Sequence, residues 1–296
     1  MLNLLGLIFG IRRIAPKLIW DIVMGYIVNP SKEILVLVLE NSCQNACPHC
    51  FLNPGKGNWR QAKQVAIEAF ELGYSVYFYA TEITRECYNM YKLIGQDLED
   101  SSICVKGDLA SKNYEWLLKK KGRVGFSLHG AKKETHELVT GQDTFAKTIE
   151  AIQFVSKYNT SAKINVWSVL HKKNKNELRD LCELTRDLGV HYINFAKLSY
   201  LGRARNLDQS WHLNRDDIEE IVFTIETIYN SGDFPTPHIT LSPNWGMTYR
   251  QFDKFVQGEK LIYYPTRNYC PAGRQHFTVE SNTLKIYPCH HLSADA

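Results

Sequence analysis

Along most of the chain, short runs rich in Val, Ile, Tyr and Phe alternate with longer stretches in which apolar residues recur every three or four positions. The short runs predict strands over 34–39, 75–79, 103–106, 124–128, 163–170 and 192–198. The longer stretches predict helices near 60–72, 84–94, 112–120, 144–157 and 177–188. Strand followed by helix, repeated, requires parallel strands joined by right-handed crossovers, with helices covering the sheet. The fold class is therefore α/β. Six strands fall short of a closed eight-fold barrel, so an open or partial (β/α)6, TIM-like barrel is expected over 34–233.

Both ends break the alternation. The opening apolar run is about ten residues long, too short to span a bilayer, and Arg12, Arg13 and Lys17 interrupt the apolar positions after it. An amphipathic helix over 11–27 fits residues 1–33, lying against the body of the protein or on a membrane surface. After a further helix near 215–229, Pro235, Pro237, Pro243, Pro265 and Pro271 fall among aromatic residues, which argues against another strand-helix unit. The chain then closes with "QHFTVE" and "LKIYP" around the turn-forming "SNT", a predicted hairpin within a C-terminal extension over 234–296.

Composition narrows the class without naming a partner. The chain has 296 residues with 44% apolar content, enough for a sizeable core. Its 35 basic residues are scattered among 31 acidic ones, so no nucleic-acid surface is expected. Eight cysteines without a secretory signal suit a reducing compartment, hence a cytoplasmic protein, with peripheral membrane contact left open by the N-terminal helix.

Three of those cysteines carry the chemistry. Cys43, Cys47 and Cys50 follow the first predicted strand, and in parallel α/β folds ligands gather at the carboxyl ends of strands. A structural zinc site asks for four ligands, and His49, between Cys47 and Cys50, is poorly placed to reach the same ion. A cubane iron–sulfur cluster usually takes four cysteines, so three leave one iron open to an outside molecule.

At these residues the chain resembles the radical S-adenosylmethionine superfamily, whose signature is three cysteines at these gaps in the loop after the first strand of a partial barrel. "YFYATEITRE" stands where that family carries a Gly-Gly-Glu-Pro-like motif, which implies that Ala80, Thr81 and Glu82 meet the methionine amino group. "VGFSLHGAKKETHELVTG" is similar to the fourth-strand segment and implies a cofactor contact at Ser127; Thr140 stands where relatives often carry an arginine. "INVWSVLHKKNKNELRDLCELTRDLGVHYINFAKLSYLGRA" looks like the fifth and sixth strands, with Asn165 implied at the ribose and Lys197 and Leu198 near the adenine. The C-terminal hairpin, with Cys270 before it and Cys289 after it, resembles the start of the auxiliary-cluster modules called SPASM and Twitch.

The resemblance implies a [4Fe-4S] cluster on Cys43, Cys47 and Cys50 with S-adenosylmethionine on its open iron. It also implies an auxiliary iron–sulfur cluster as one reading of Cys270 and Cys289. Reductive cleavage of S-adenosylmethionine would give a 5′-deoxyadenosyl radical that abstracts hydrogen from a small-molecule or peptide substrate. An electron donor such as flavodoxin or ferredoxin would supply the electron. The competing reading is a zinc- or iron–sulfur-stabilised binding or electron-transfer protein without radical chemistry. Cys87, Cys104 and Cys182 read as small buried apolar residues, with hydrogen-atom return the minor alternative for Cys104, and His129 reads as a turn-shaping residue.

Overall fold

A computed structural model of the chain describes residues 35–40, 43, 47–52, 58–80, 102–105, 122–233, 237–241, 276–280 and 283–287. The N-terminal helix, the helices expected near 84–94 and 112–120, and Thr81, Glu82, Cys270 and Cys289 lie outside them. In chain order the elements are β1 (Leu35–Glu40), α1 (Trp59–Glu71), β2 (Ser75–Ala80), β3 (Ser102–Val105), β4 (Gly122–Ser127) and α2 (Lys133–Thr140). Next come α3 (Phe145–Tyr158), β5 (Ala162–Leu170), α4 (Leu178–Asp187), β6 (Tyr192–Lys197), α5 (Arg215–Ser231), β7 (His238–Leu241), β8 (His276–Glu280) and β9 (Ile286–Tyr287). Two compact units form, one of Met1–Gln44, Phe51–Gln96 and Tyr269–Ala296, the other of Asn45–Cys50 and Asp97–Asn268.

In the first unit the sheet order is β2-β1-β8-β9. β1 runs parallel to both β2 and β8, and β8 and β9 form the antiparallel hairpin that the C-terminal pattern predicts. The insertion of β8 beside β1 has no local signature, because strand partners are chosen by long-range burial. α1 begins where Asn58 accepts a hydrogen bond from the Gln61 N–H at 3.1 Å. It buries Ala62, Val65, Ala66 and Ala69 and packs on β1 and β2.

The second unit holds a five-stranded, all-parallel sheet ordered β3-β4-β5-β6-β7. Alternation along each strand sends Val124 and Phe126, Ile164 and Val166, and Ile193 and Phe195 to one face, each at 1% exposure or less. α3 packs on β4 and β5 and contributes Ala151, Ile152 and Val155 to this core, while α4 and α5 pack on each other.

Two elements correct the sequence reading. α2 was not expected, because its buried positions are His136, Val139 and Thr140, and two polar residues on the inner face hide the helical period. Gly130 admits it: a Cβ there would lie 2.8 Å from the His136 nitrogen and from the Thr135 Cβ. The proline-rich region does supply a strand, β7, parallel to β6 with Tyr192 opposite His238. Four residues at a sheet edge directly after Pro237 form a strand even where the prolines argue against a full strand-helix unit.

Candidate active site

Cys47-Pro48-His49-Cys50 forms a turn closed by the Cys50 N–H donating to the Cys47 carbonyl at 3.3 Å, with proline at its favoured second position. Cys47 and Cys50 are half-buried thiols rather than half-cystines. Two contacts fix the turn. The Cys50 carbonyl accepts from the Ala204 N–H at 3.1 Å, which brings in the Gly-Arg-Ala segment after β6. The His49 Nδ1–H donates to the Val139 carbonyl at 2.6 Å, and its ring meets that of His129 edge-on at 4.5 Å. Burial lowers the His49 pKa to about 4, so the ring is neutral. Cys43 belongs to the other unit, where it too is a half-buried thiol.

Behind the turn stand three more buried histidines. The Val169 N–H donates to His129 Nδ1, and the His129 N–H donates to His136 Nδ1, each at 3.1 Å. His136 is thereby the Nε2–H tautomer and donates to Thr144 Oγ1 at 3.1 Å. His171 Nδ1 accepts from the Lys173 N–H at 3.1 Å. Asn174 crosses between the segments: Oδ1 accepts from the His171 N–H at 2.9 Å, and Nδ2 donates to the carbonyls of His129 at 2.7 Å and Val169 at 2.9 Å. Burial pushes His136 down to about 4, His171 to about 3 and His129 well below its usual value. With Nδ1 of His129, His136 and His171 held by main-chain N–H groups, the rings act as framework. Among the described residues no three His, Cys, Asp or Glu side chains converge as a metal cage.

The second face of the five-stranded sheet is polar. Parallel sheets usually bury apolar residues on both faces. Here Ser127, Trp167 and Asn194 lie side by side in register, as do Gly125, Asn165 and Tyr192 one step earlier. Asn165 on this face is 6% exposed. The Trp167 indole N–H is buried without a partner among the described residues. Asn194 Nδ2 donates to Thr240 Oγ1 at 2.8 Å, and the Arg123 guanidinium lies over the Tyr192 ring at 4.8 Å.

The other residues singled out in the sequence are spread over both units. Ser127 is exposed at the end of β4. Lys197 ends β6 opposite Leu170. Leu198 is buried in an apolar cluster with Val139, Ala204 and Trp211. Ala80 ends β2 opposite Glu40. Thr140 turns back on its own helix end, donating from Oγ1 to the carbonyls of His136 or Gln142, both at 3.1 Å. Cys182 is fully buried, with burial pushing its thiol up to about 12. Sequence reading missed the tie from His49 to Val139 and the role of Asn174, whose partners are main-chain groups; the signal available was four histidines flanking the cysteine loop and strands 4 and 5.

No protein-family model matches the chain. In sequence it is similar to the probable GTP 3′,8-cyclase of Saccharolobus solfataricus, 29% identical over 208 residues, which cover 66% of this chain and 65% of the relative. The GTP 3′,8-cyclase of Petrotoga mobilis is 29% identical over 129 residues, 43% of this chain and 39% of that protein. The chain thus spans under two thirds of these relatives. In structure it is similar to Streptococcus suis SuiB bound to precursor peptide SuiA, with TM-score 0.69 and 16% identity over 95% of this chain and 65% of SuiB. It is also similar to anSMEcpe with bound AdoMet and a peptide, with TM-score 0.64 and 18% identity over 88% of this chain and 75% of that one. At such identities these neighbours establish a shared fold.

Proposed function

We propose that the chain is a radical S-adenosylmethionine enzyme in which Cys43, Cys47 and Cys50 hold a [4Fe-4S] cluster and the polar sheet face receives the nucleoside. The sequence relatives and the structural neighbours support the superfamily and an enzymatic role. The observation that carries the reading is the juxtaposition in the second unit. A turn with two cysteines is tied to the segments after β4 and β6 of a parallel sheet. The open face of that sheet bears Ser127, Asn165, Trp167 and Asn194 in adjacent register positions.

The donor set fits such a cluster. Thiols are the ligands an iron–sulfur cluster takes. When bound, cluster and S-adenosylmethionine supply one-electron cleavage of a sulfonium and a carbon radical able to remove hydrogen from an unactivated C–H group. The protein's share is orientation. Asn165 would offer its amide to ribose hydroxyls, Ser127 a hydroxyl at the strand end, and Ala80 with Thr81 and Glu82 the acceptors for the methionine ammonium. Lys197 and Leu198 end and follow β6, Leu198 donating its N–H to the Leu170 carbonyl at 3.1 Å, and both would lie near the adenine.

The substrate is a small molecule or a peptide: GTP stands in the names of the sequence relatives, and peptides are bound in two structural neighbours. The electron comes from a flavodoxin- or ferredoxin-like donor in a cytoplasmic setting. Among the described residues no helix is long and apolar enough to cross a membrane. The proposed domains are those read from the sequence, 1–33 an amphipathic helix, 34–233 the catalytic barrel and 234–296 an extension, whose β7 and β8 pair with β6 and β1.

The test is anaerobic reconstitution with iron and sulfide, and then addition of dithionite and S-adenosylmethionine. A brown protein forming 5′-deoxyadenosine, with colour and product lost in Cys47→Ala, is the expected result. A colourless protein with stoichiometric zinc removes the proposal, as does a reducible cluster that never yields deoxyadenosine. About four irons per chain mean one cluster, and about eight that fall to four in Cys270→Ala or Cys289→Ala would mean an auxiliary cluster on those residues. Deoxyadenosine that rises only with a particular nucleotide or peptide fraction identifies the substrate.

A further inference from the structure

We infer that His49 is a positioning residue: its Nδ1–H holds the Cys47–Cys50 turn against the end of α2 and so sets the two thiols before any metal arrives. The inference rests on the proposed role of these cysteines, and concerns how they are held rather than what they hold.

α2 ends at Thr140, so the Val139 carbonyl is among the last four of the helix, which have no acceptor role within it. The Gly141 N–H takes the Glu137 carbonyl at 2.8 Å, and His49 takes that of Val139 at 2.6 Å. A side chain from 90 residues away therefore completes the helix end. The helix it grips is itself immobilised. At its start Glu177 accepts from the Ala131 N–H at 2.8 Å and from Thr135 Oγ1 at 2.6 Å. On its inner face His136 bonds the His129 N–H and Thr144. The His49 ring also rests on His129, which is fixed in turn by the Val169 N–H.

The turn is also attached through the bond from Ala204 to the Cys50 carbonyl. The bond from His49 adds a tie to α2, an element that the Ala204 bond does not reach. His49 thus lies between two proposed ligands without being one, and links them to a rigid frame built from β4, α2 and the segment after β5.

Two variants separate the donor from the ring. His49→Phe keeps an aromatic ring without the N–H, and His49→Asn places an amide N–H near the Nδ1 position. In the metal-free 296-residue chain, hydrogen exchange of a peptide spanning residues 45–52 is expected to be roughly three- to tenfold faster in His49→Phe, the range one lost hydrogen bond gives. His49→Asn should stay close to wild type. After reconstitution, His49→Phe should lose iron to a chelator faster by a similar factor. Equal exchange in all three proteins overturns the inference, as does exchange in His49→Asn as fast as in His49→Phe. If His49→Phe does not fold, His49→Leu makes the same comparison. A wild type that shows the exchange pattern but takes up no iron leaves the tether standing and sinks the cluster; iron uptake with unchanged exchange does the reverse.

Discussion

Asn165 is 6% exposed on a parallel strand, at a register position shared with Gly125 and Tyr192 on the polar face of the sheet. Substitution tells whether an amide there serves a ligand or the fold. One substitution then has two expected outcomes. With the amide serving a ligand, Asn165→Ala should leave the thermal midpoint unchanged or slightly raised. It should weaken S-adenosylmethionine binding about five- to tenfold, the worth of one hydrogen bond. Calorimetric titration on reconstituted protein checks the second, and an equal loss of stability and affinity would mean the amide serves the fold. Gly130 makes the contrasting case. An added Cβ at 2.8 Å from a main-chain nitrogen must push α2 away, so Gly130→Ala should cost about 2–3 kcal/mol in urea unfolding. Gly73→Ala meets no atom within 4 Å and suffers only its left-handed backbone, about 1 kcal/mol. The three cysteines stand out in the sequence by type and spacing, Asn165 only through the resemblance. His49 was legible only as a poor zinc ligand, because its partner is a carbonyl, and every residue has one.

α2 shows the same limit one level up. Among the described residues, the strands and helices with an apolar period were readable to within two residues, for instance α3 at Phe145–Tyr158 against an expected 144–157 and β5 at Ala162–Leu170 against 163–170. The hairpin at the end was readable from its turn. What stayed hidden was any element held by polar or distant partners: α2 with its buried His136, β7 leaning on β6, and β8 paired with β1. Because α2 is secured from outside its own sequence, its N-terminal anchor should matter more than its propensity. Glu177→Gln removes the charge that receives the Ala131 N–H and Thr135 Oγ1 at the helix start, and should cost about 1–2 kcal/mol. Glu150→Gln, on an exposed position of α3, should stay within about 0.5 kcal/mol. Urea titration of the two variants side by side decides it, and equal effects would show that Glu177 is not holding the helix.

At the scale of the whole molecule, the buried histidines tie stability to acidity with a definite sign. His136 and His171 have folded-state values of about 4 and about 3, both set chiefly by burial, and burial moves His129 in the same direction. In the unfolded chain each titrates near 6.5. Above that pH they are neutral in both states, and their contribution is fully present. As pH falls below it, the unfolded chain takes up protons that the fold refuses, so stability drops until the folded values are reached. At pH 5 this amounts to about 2 kcal/mol for each such histidine. The carboxylates contribute little in this window, since most are still ionised at pH 5. Unfolding free energies measured in urea between pH 7 and pH 5 should therefore fall steeply, and with His49, also lowered to about 4, the uptake on unfolding near pH 5 should be roughly four protons per chain. His171→Asn should reduce that uptake by about one proton, whatever it does to stability at pH 7. A flat profile would mean that the rings carry protons in the fold. That would contradict the acceptor roles of Nδ1 in His129, His136 and His171, and with them the frame on which the cysteine turn is hung.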